Sequence, residues 1–299
     1  MNTIALDQVR EALSAQPKPH LLDVRLADDF AVSHIQGAES APVFPVTFLQ
    51  DVAALVDRKD TPLLVYGADA ESRESQLAAE KLENAGYTAV RDFMGGLAAW
   101  EQAGGPVERG ATPPPPPAAP EGELAVDLAA SRLEWTGRNL LNKHWGTLPL
   151  KTGALGFEGG KLVSGSFVLD LTGMECTDLA GQELHQVLID HLQSDDFFHT
   201  AQYPEAQFVI SGSRVLEPTS LGAPNLALEG HLTLKGQTLP LQIQAVTGLT
   251  PDGKAAAQAT LSIDRTLWQI IYGSGKLFRN PGMHLVNDLI DIELKIVTL

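Results

Sequence analysis

Residues 111–120 read ATPPPPPAAP, and nothing else in this 299-residue chain limits its folding so strongly. Proline has no backbone N–H to give to a helix or a ladder, and successive prolines favour the extended polyproline II helix. A common core cannot be built through such a stretch. The chain is therefore read as two domains, 1–110 and 123–299, joined by a Pro-rich linker over 111–122. At about 3.1 Å per residue, ten such residues make a semi-rigid spacer of roughly 30 Å. Two domains also suit the length, since single domains cluster near roughly 100–150 residues.

The hydrophobic period differs on the two sides of the prolines. Before them, the short apolar runs HLLDV (20–24) and TPLLVYG (61–67) alternate with helical spacing such as Leu77, Ala78 and Leu82 within 72–85. Strands alternating with helices predict an α/β domain with a parallel sheet. After the prolines the period is two. In 289–297, Ile290, Ile292, Leu294 and Ile296 alternate with Asp291, Glu293 and Lys295, and the pattern recurs at 132–136, 166–171, 228–234 and 258–263. That pattern predicts half-buried antiparallel strands. Turn signals at 158–160, 235–236 and 251–253 separate them, and 181–193 is the one amphipathic helical segment. An all-β barrel or sandwich with a helical insertion follows.

Charge and cysteine usage narrow the function classes. The net charge of −16 is shared evenly, with 9 Lys+Arg against 17 Asp+Glu in residues 1–110 and 12 against 20 in the rest. A field of that sign opposes binding to nucleic acid and docking on anionic membranes. No stretch approaches the roughly 20 apolar residues of a membrane span, and the N-terminus has no leader-like pattern, so the expectation is a cytoplasmic protein that is not integral to a membrane. The single cysteine, Cys176, rules out an internal disulfide and any multi-cysteine metal site. The eight histidines show no paired ligand spacing, so neither metal nor cofactor is expected.

Six motifs before the linker stand in the order and spacing of the rhodanese family: LLDVR (21–25), DDF (28–30), HIQGA (34–38), LLVYG (63–67), AGYTAV (85–90) and GGLAAW (95–100). Residues 3–108 thus resemble a rhodanese module, which implies a five-stranded parallel sheet with flanking helices and a catalytic loop after the strand ending at Tyr66. Active members open that loop with a cysteine that carries persulfide sulfur, held by backbone N–H groups and a helix N-terminus. Here the matching position is Gly67. The remainder, Ala68, Asp69, Ala70, Glu71, Ser72 and Arg73, offers no soft nucleophile, and Ser72 has no base to activate it. Asp69 and Glu71 also place carboxylates where an anion would sit. The resemblance therefore implies a degenerate, catalytically inactive module, a pseudoenzyme kept for interaction, in which Asp23, Arg25 and His34 shape loops and Trp100 closes the core.

Residues 123–299 resemble the YceI-like family of lipid-binding proteins, most specifically in HLQSDDFFHTAQYPEAQFVI (191–210), LEGHLTLKGQTLPLQI (228–243), SIDRTLWQIIYGSGKLF (262–278) and IDIELKIV (290–297). The family implies an eight-stranded antiparallel lipocalin-like barrel around a polyisoprenoid or similar amphiphile. The inward, ligand-binding candidates are Leu133, Trp135, Leu148, Leu150, Phe167, Leu169, Leu171, Phe208, Ile210, Leu232, Leu234, Leu261, Ile263, Ile290, Ile292 and Leu294, with Trp268 placed beside them. Alternation alone fits a filled core equally well. Phe197 and Phe198 are expected to anchor the helical insertion to the rim, and Arg138 and Arg265 to make surface salt bridges or meet an anionic head group.

Together these readings describe a cytosolic binding or carrier protein for a long-chain isoprenoid, joined to an inactive rhodanese-like module that meets a protein partner. Two other classes remain open: a sulfurtransferase or sulfur/redox sensor using Cys176 or a partner's cysteine, and an interaction adaptor with a filled barrel.

Overall fold

The computed structural model describes residues 2–110, 112, 115–279 and 282–299, with Met283 described by its backbone alone. The chain divides into two compact units, Met1–Pro115 and Pro116–Leu299. Residues 111, 113 and 114 of the expected linker lie outside the described residues.

The first unit comprises β1 (Asn2–Thr3), α1 (Leu6–Ser14), β2 (His20–Asp23), α2 (Ala27–Val32), β3 (Ser33–Ile35), β4 (Glu39–Ser40), α3 (Phe48–Leu55), β5 (Leu63–Tyr66), α4 (Glu74–Asn84), β6 (Val90–Phe93), α5 (Gly96–Gln102) and β7 (Val107–Arg109). Its sheet is five-stranded and parallel in the order β1-β6-β5-β2-β4, as the rhodanese resemblance implied. The unbroken apolar run of β5 follows from burial on both faces. Leu63 and Val65 join a core with Leu22, Val52, Ala78 and Leu82, while Leu64 and Tyr66 face Val9, Leu97 and Trp100 on the other side. Asp23 and Arg25 form a buried pair, with Arg25 Nη2 2.6 Å from Asp23 Oδ2 and donating also to the Ser33 carbonyl, so they tie the β2 end to β3. Trp100 closes the core and donates from Nε1 to the Pro106 carbonyl at 3.0 Å.

One polar group works against this core. Asp92 of β6 is fully buried, and neither carboxylate oxygen has a hydrogen-bond partner among the described residues. Burial, with no hydrogen bond to either oxygen, raises its pKa above the ordinary value. The unfolded chain therefore releases this proton at lower pH than the folded one, and stability falls as pH rises above the ordinary carboxylate range. Asp92→Asn is expected to stabilise the chain at pH 7 by about 1–3 kcal/mol relative to wild type, with the advantage shrinking toward pH 4. Urea unfolding at the two pH values measures it, and an equal effect at both would contradict the assignment.

The second unit comprises β8 (Gly122–Ala125), β9 (Arg132–Arg138), β10 (Lys143–Thr147), β11 (Leu150–Glu158), β12 (Lys161–Asp170), β13 (Glu175–Cys176), α6 (Leu184–Gln193), β14 (Glu205–Val215), β15 (Leu226–Leu234), β16 (Gln237–Leu249), β17 (Ala255–Asp264) and β18 (Leu289–Val297). The strands form one antiparallel sheet in the order β13-β10-β9-β18-β17-β16-β15-β14-β12-β11-β8. The expected count of eight strands is corrected to eleven, because short β8 and β13 extend the edges and β10 pairs separately with β9. The sheet curls into a half-barrel. Its edge strands β8 and β13 do not pair with each other, and an isolated bridge between Val126 and Thr298 connects the β8 end to the chain terminus.

Tight turns set the register. Lys235 and Gly236 have φ of 47° and 73°, so a two-residue turn with both central residues left-handed joins β15 to β16, matching the twist of paired strands. The helical insertion begins at Leu184 rather than at Gly181, whose φ of 77° is incompatible with a helix. Phe197 and Phe198 pack against the core of this unit, as anchoring of the insertion required.

Candidate functional site

The concave face of the half-barrel encloses a cavity of about 420 Å³. Small-molecule sites commonly span roughly 300–1,000 Å³. Period-two strands supply its wall. In β14, Ala206, Phe208 and Ile210 are buried and line it, while Gln207 and Val209 between them are exposed. Every residue expected on the inner wall lines the cavity except Trp268. That residue ends a short 3-10 turn, Arg265–Trp268, where alternation has no meaning; it is 2 % exposed and its indole N–H donates to the Leu232 carbonyl at 3.1 Å.

The wall also contains residues that strand alternation does not reach. Leu188 and Leu192 of α6 face the cavity, four positions apart on one face of the helix, and Phe198 joins them. Leu241 and Ile243 of β16 do so as well; Pro240 in that strand obscures its pattern, since proline cannot donate to a ladder. Polar groups enter at few points, among them Arg138, His144, His191 and Tyr272. Tyr272 packs edge-on to His191, with ring centroids 4.6 Å apart, and its hydroxyl lies 3.1 Å from His284 Nδ1.

Of the two arginines, only Arg265 departs from its expected place. Arg138 pairs with Asp291 in a partly exposed ion pair and also lines the cavity. Arg265 is not at the surface: it is 2 % exposed and donates to three backbone carbonyls, Asn287 at 3.0 Å, Ile270 at 2.6 Å and Val286 at 3.0 Å. Burial lowers its pKa, opposed by the carboxylates of Asp288 and Asp264. Its planar fork thereby draws the backbone at 270 and 286–287 together.

A second cluster joins residues far apart in the sequence. His144 Nδ1 lies 2.9 Å from Asp178 Oδ2 across 34 positions, and Cys176 Sγ donates to Asp178 Oδ1 at 3.2 Å. Burial, reinforced by the hydrogen bond to Asp178, pushes the Cys176 thiol up to about 11. The thiol is therefore protonated at neutral pH, which weakens its candidacy as a nucleophile. Burial also penalises the Asp178 carboxylate, but the Trp145 N–H, His144 and Cys176 outweigh that and hold it below the usual range.

In the first unit, the loop after β5, residues 67–73, contains no cysteine. Three of its N–H groups are occupied from within the chain. Asp69 Oδ1 accepts from Glu71 and Ser72 at 2.9 Å each, and Glu74 Oε2 accepts from Ala68 at 3.0 Å. Glu74 was not among the expected loop residues; a Cβ at Gly67 would stand 2.8 Å from its Oε2. The loop carbonyls are held too, since Leu97 and Ala98 donate to Gly67 and Ala68 at 3.0 Å each.

These features define a two-unit protein: a half-barrel built around an apolar cavity, and an α/β unit with a cysteine-free loop after its central strand. The YceI-like domain family matches residues 124–298 and the Rhodanese-like domain family residues 5–103. The chain belongs to the YceI-like family and carries a rhodanese-like domain ahead of that region. Among curated proteins it is similar to the adenylyltransferase and sulfurtransferase uba4 of Ogataea parapolymorpha, 32% identical over 92 residues. That match covers 31% of this chain and spans only 22% of the relative's length. Among solved structures, Burkholderia cenocepacia BcnA is 20% identical with a TM-score of 0.47, over 58% of this chain and 99% of that one. A polyisoprenoid binding domain from Saccharophagus degradans is 13% identical with a TM-score of 0.40, over 60% and 98%. No helix among the described residues is long and apolar enough to cross a membrane.

Proposed function

We propose that this protein binds or carries a long-chain isoprenoid or similar amphiphile in the half-barrel, and that its rhodanese-like domain is inactive in sulfur transfer and serves recognition of a protein partner. The observation that carries the first part is the cavity of about 420 Å³ walled by leucine, isoleucine and phenylalanine. Each methylene buried against such a wall contributes about 0.8 kcal/mol, so even a partly enclosed hydrocarbon chain is held well. The same open volume disfavours a filled barrel. Native mass spectrometry of protein from its own host tests this reading: an added mass that organic solvent extracts supports it, and a bare chain in repeated preparations speaks against it.

The second part rests on the loop. With Gly67 at the position where rhodaneses carry cysteine, there is no atom to take up sulfur, and Asp69 and Glu74 occupy three of the loop N–H groups that could turn toward an anion. Thiosulfate:cyanide turnover is expected to stay at background. Gly67→Cys alone is expected to leave it there, because the new side chain would crowd the Glu74 carboxylate, which disfavours a thiolate. Cyanide-dependent thiocyanate formation by that single variant would show that the loop remains open to sulfur after all.

A further inference from the structure

We propose that His144, Cys176 and Asp178 form a binding site for a borderline divalent cation of the Zn²⁺ type. Each residue offers one ligand atom, and the three atoms lie within 4.8 Å of one another. The pairing of a thiolate with an imidazole and a carboxylate suits zinc rather than Mg²⁺ or Ca²⁺, which favour oxygen ligands alone. Tetrahedral ligation at about 2.0–2.3 Å separates ligand atoms by roughly 3.5 Å, so ligand atoms that already lie within 4.8 Å of one another need close in only by about 1 Å at most.

The backbone holds the three residues in place. Cys176 lies on edge strand β13, opposite Gly146 of β10, and a Cβ at Gly146 would stand 1.7 Å from the Glu175 carbonyl oxygen. Only glycine lets the edge strand approach this closely. Beyond it, the Thr177 N–H donates to the Trp145 carbonyl at 2.8 Å, and Asp178 Oδ1 accepts from the Trp145 N–H at 2.9 Å. The 175–178 segment is thus fastened to β10 at Trp145, Gly146 and Thr147, directly after His144, and the ligands are presented by paired backbone rather than by a free loop.

Without a metal, the Cys176 thiol and the His144 ring both point protons at Asp178. Binding displaces them in a balanced way: the thiol proton leaves to solvent, the imidazole proton moves from Nδ1 to Nε2, and the cation accepts one lone pair from each ligand. Three protein ligands leave a fourth position for water. The site does not depend on the lipid reading, and its test does not use a lipid.

Titration of the full-length protein with Co²⁺ reads the site directly. One equivalent is expected to produce a thiolate-to-cobalt charge-transfer band in the near ultraviolet, with visible ligand-field bands of four-coordinate intensity. Equimolar Zn²⁺ should abolish both. Cys176→Ala should lose the charge-transfer band, and His144→Gln and Asp178→Asn should each weaken Co²⁺ binding at least about tenfold. Absence of the band in wild type, or its persistence at full affinity in both the His144 and Asp178 variants, overturns the proposal in favour of a purely hydrogen-bonded anchor. A variant that fails to fold is replaced by a measurement on wild type, in which stoichiometric Zn²⁺ should raise the melting temperature and a chelator reverse it; no shift counts against the site.

Discussion

A carboxylate at Ile210 is expected to abolish retention of an apolar ligand, whereas the same change at its neighbour Val209 leaves retention intact. Ile210 is 4 % exposed and lines the cavity, while Val209 is 41 % exposed on the convex face. An unpaired carboxylate on the inner wall costs on the order of 4 kcal/mol or is forced to stay protonated, and in either form it replaces apolar wall with a polar group. Ile210→Glu and Val209→Glu can be compared by ligand mass retained in native mass spectra and by unfolding midpoint. Loss of the fold at Ile210 would confuse stability with binding. Leu150→Trp separates the two, because it keeps the wall apolar while filling volume that a hydrocarbon chain would occupy. If that variant folds and holds as much ligand as wild type, the cavity is not the binding site.

Replacing Arg265 is expected to destabilise the half-barrel more than any other single polar change in this unit. Arg265→Met leaves the carbonyls of Ile270, Val286 and Asn287 without their donor, and the half-buried carboxylate of Asp288 with Lys276, 3.6 Å away, but without the guanidinium 3.9 Å away. Removing one partner from a buried charged network typically costs roughly 3–5 kcal/mol, and in a unit of this size that lowers the melting temperature by about 10 °C. Arg265→Lys should recover little of the loss, since one ammonium cannot point donors along the three directions of the guanidinium fork. A loss under about 1 kcal/mol in denaturant unfolding would mean that water replaces the guanidinium at these carbonyls.

The two-unit organisation, the parallel sheet of the first unit and the in-and-out order of most strands in the second could be read from the sequence alone. These properties rest on nearest neighbours. A strand turns successive side chains to opposite faces, so the run at 289–297 declares its inner residues without reference to any other segment. Proline placement is equally local, and so is the absence of cysteine from the loop after β5.

What the tertiary structure decided lies where residues distant in sequence meet. The curvature and edge pairing of the sheet set eleven strands where eight were expected, and they brought α6 onto the wall, so Leu188 and Leu192 belong to the cavity as much as any strand residue. Trp268 left the wall because a 3-10 turn ended the alternation that would have placed it there. Arg265 changed from a surface candidate to a buried clasp, since its partners are carbonyls from a returning segment that carry no side-chain signal. His144 and Asp178 meet across 34 positions only because β13 lies against β10 at the edge of the sheet. Spacing along a chain encodes which face a residue takes, but contact between segments depends on register and curvature, which are set by the packing of the whole sheet.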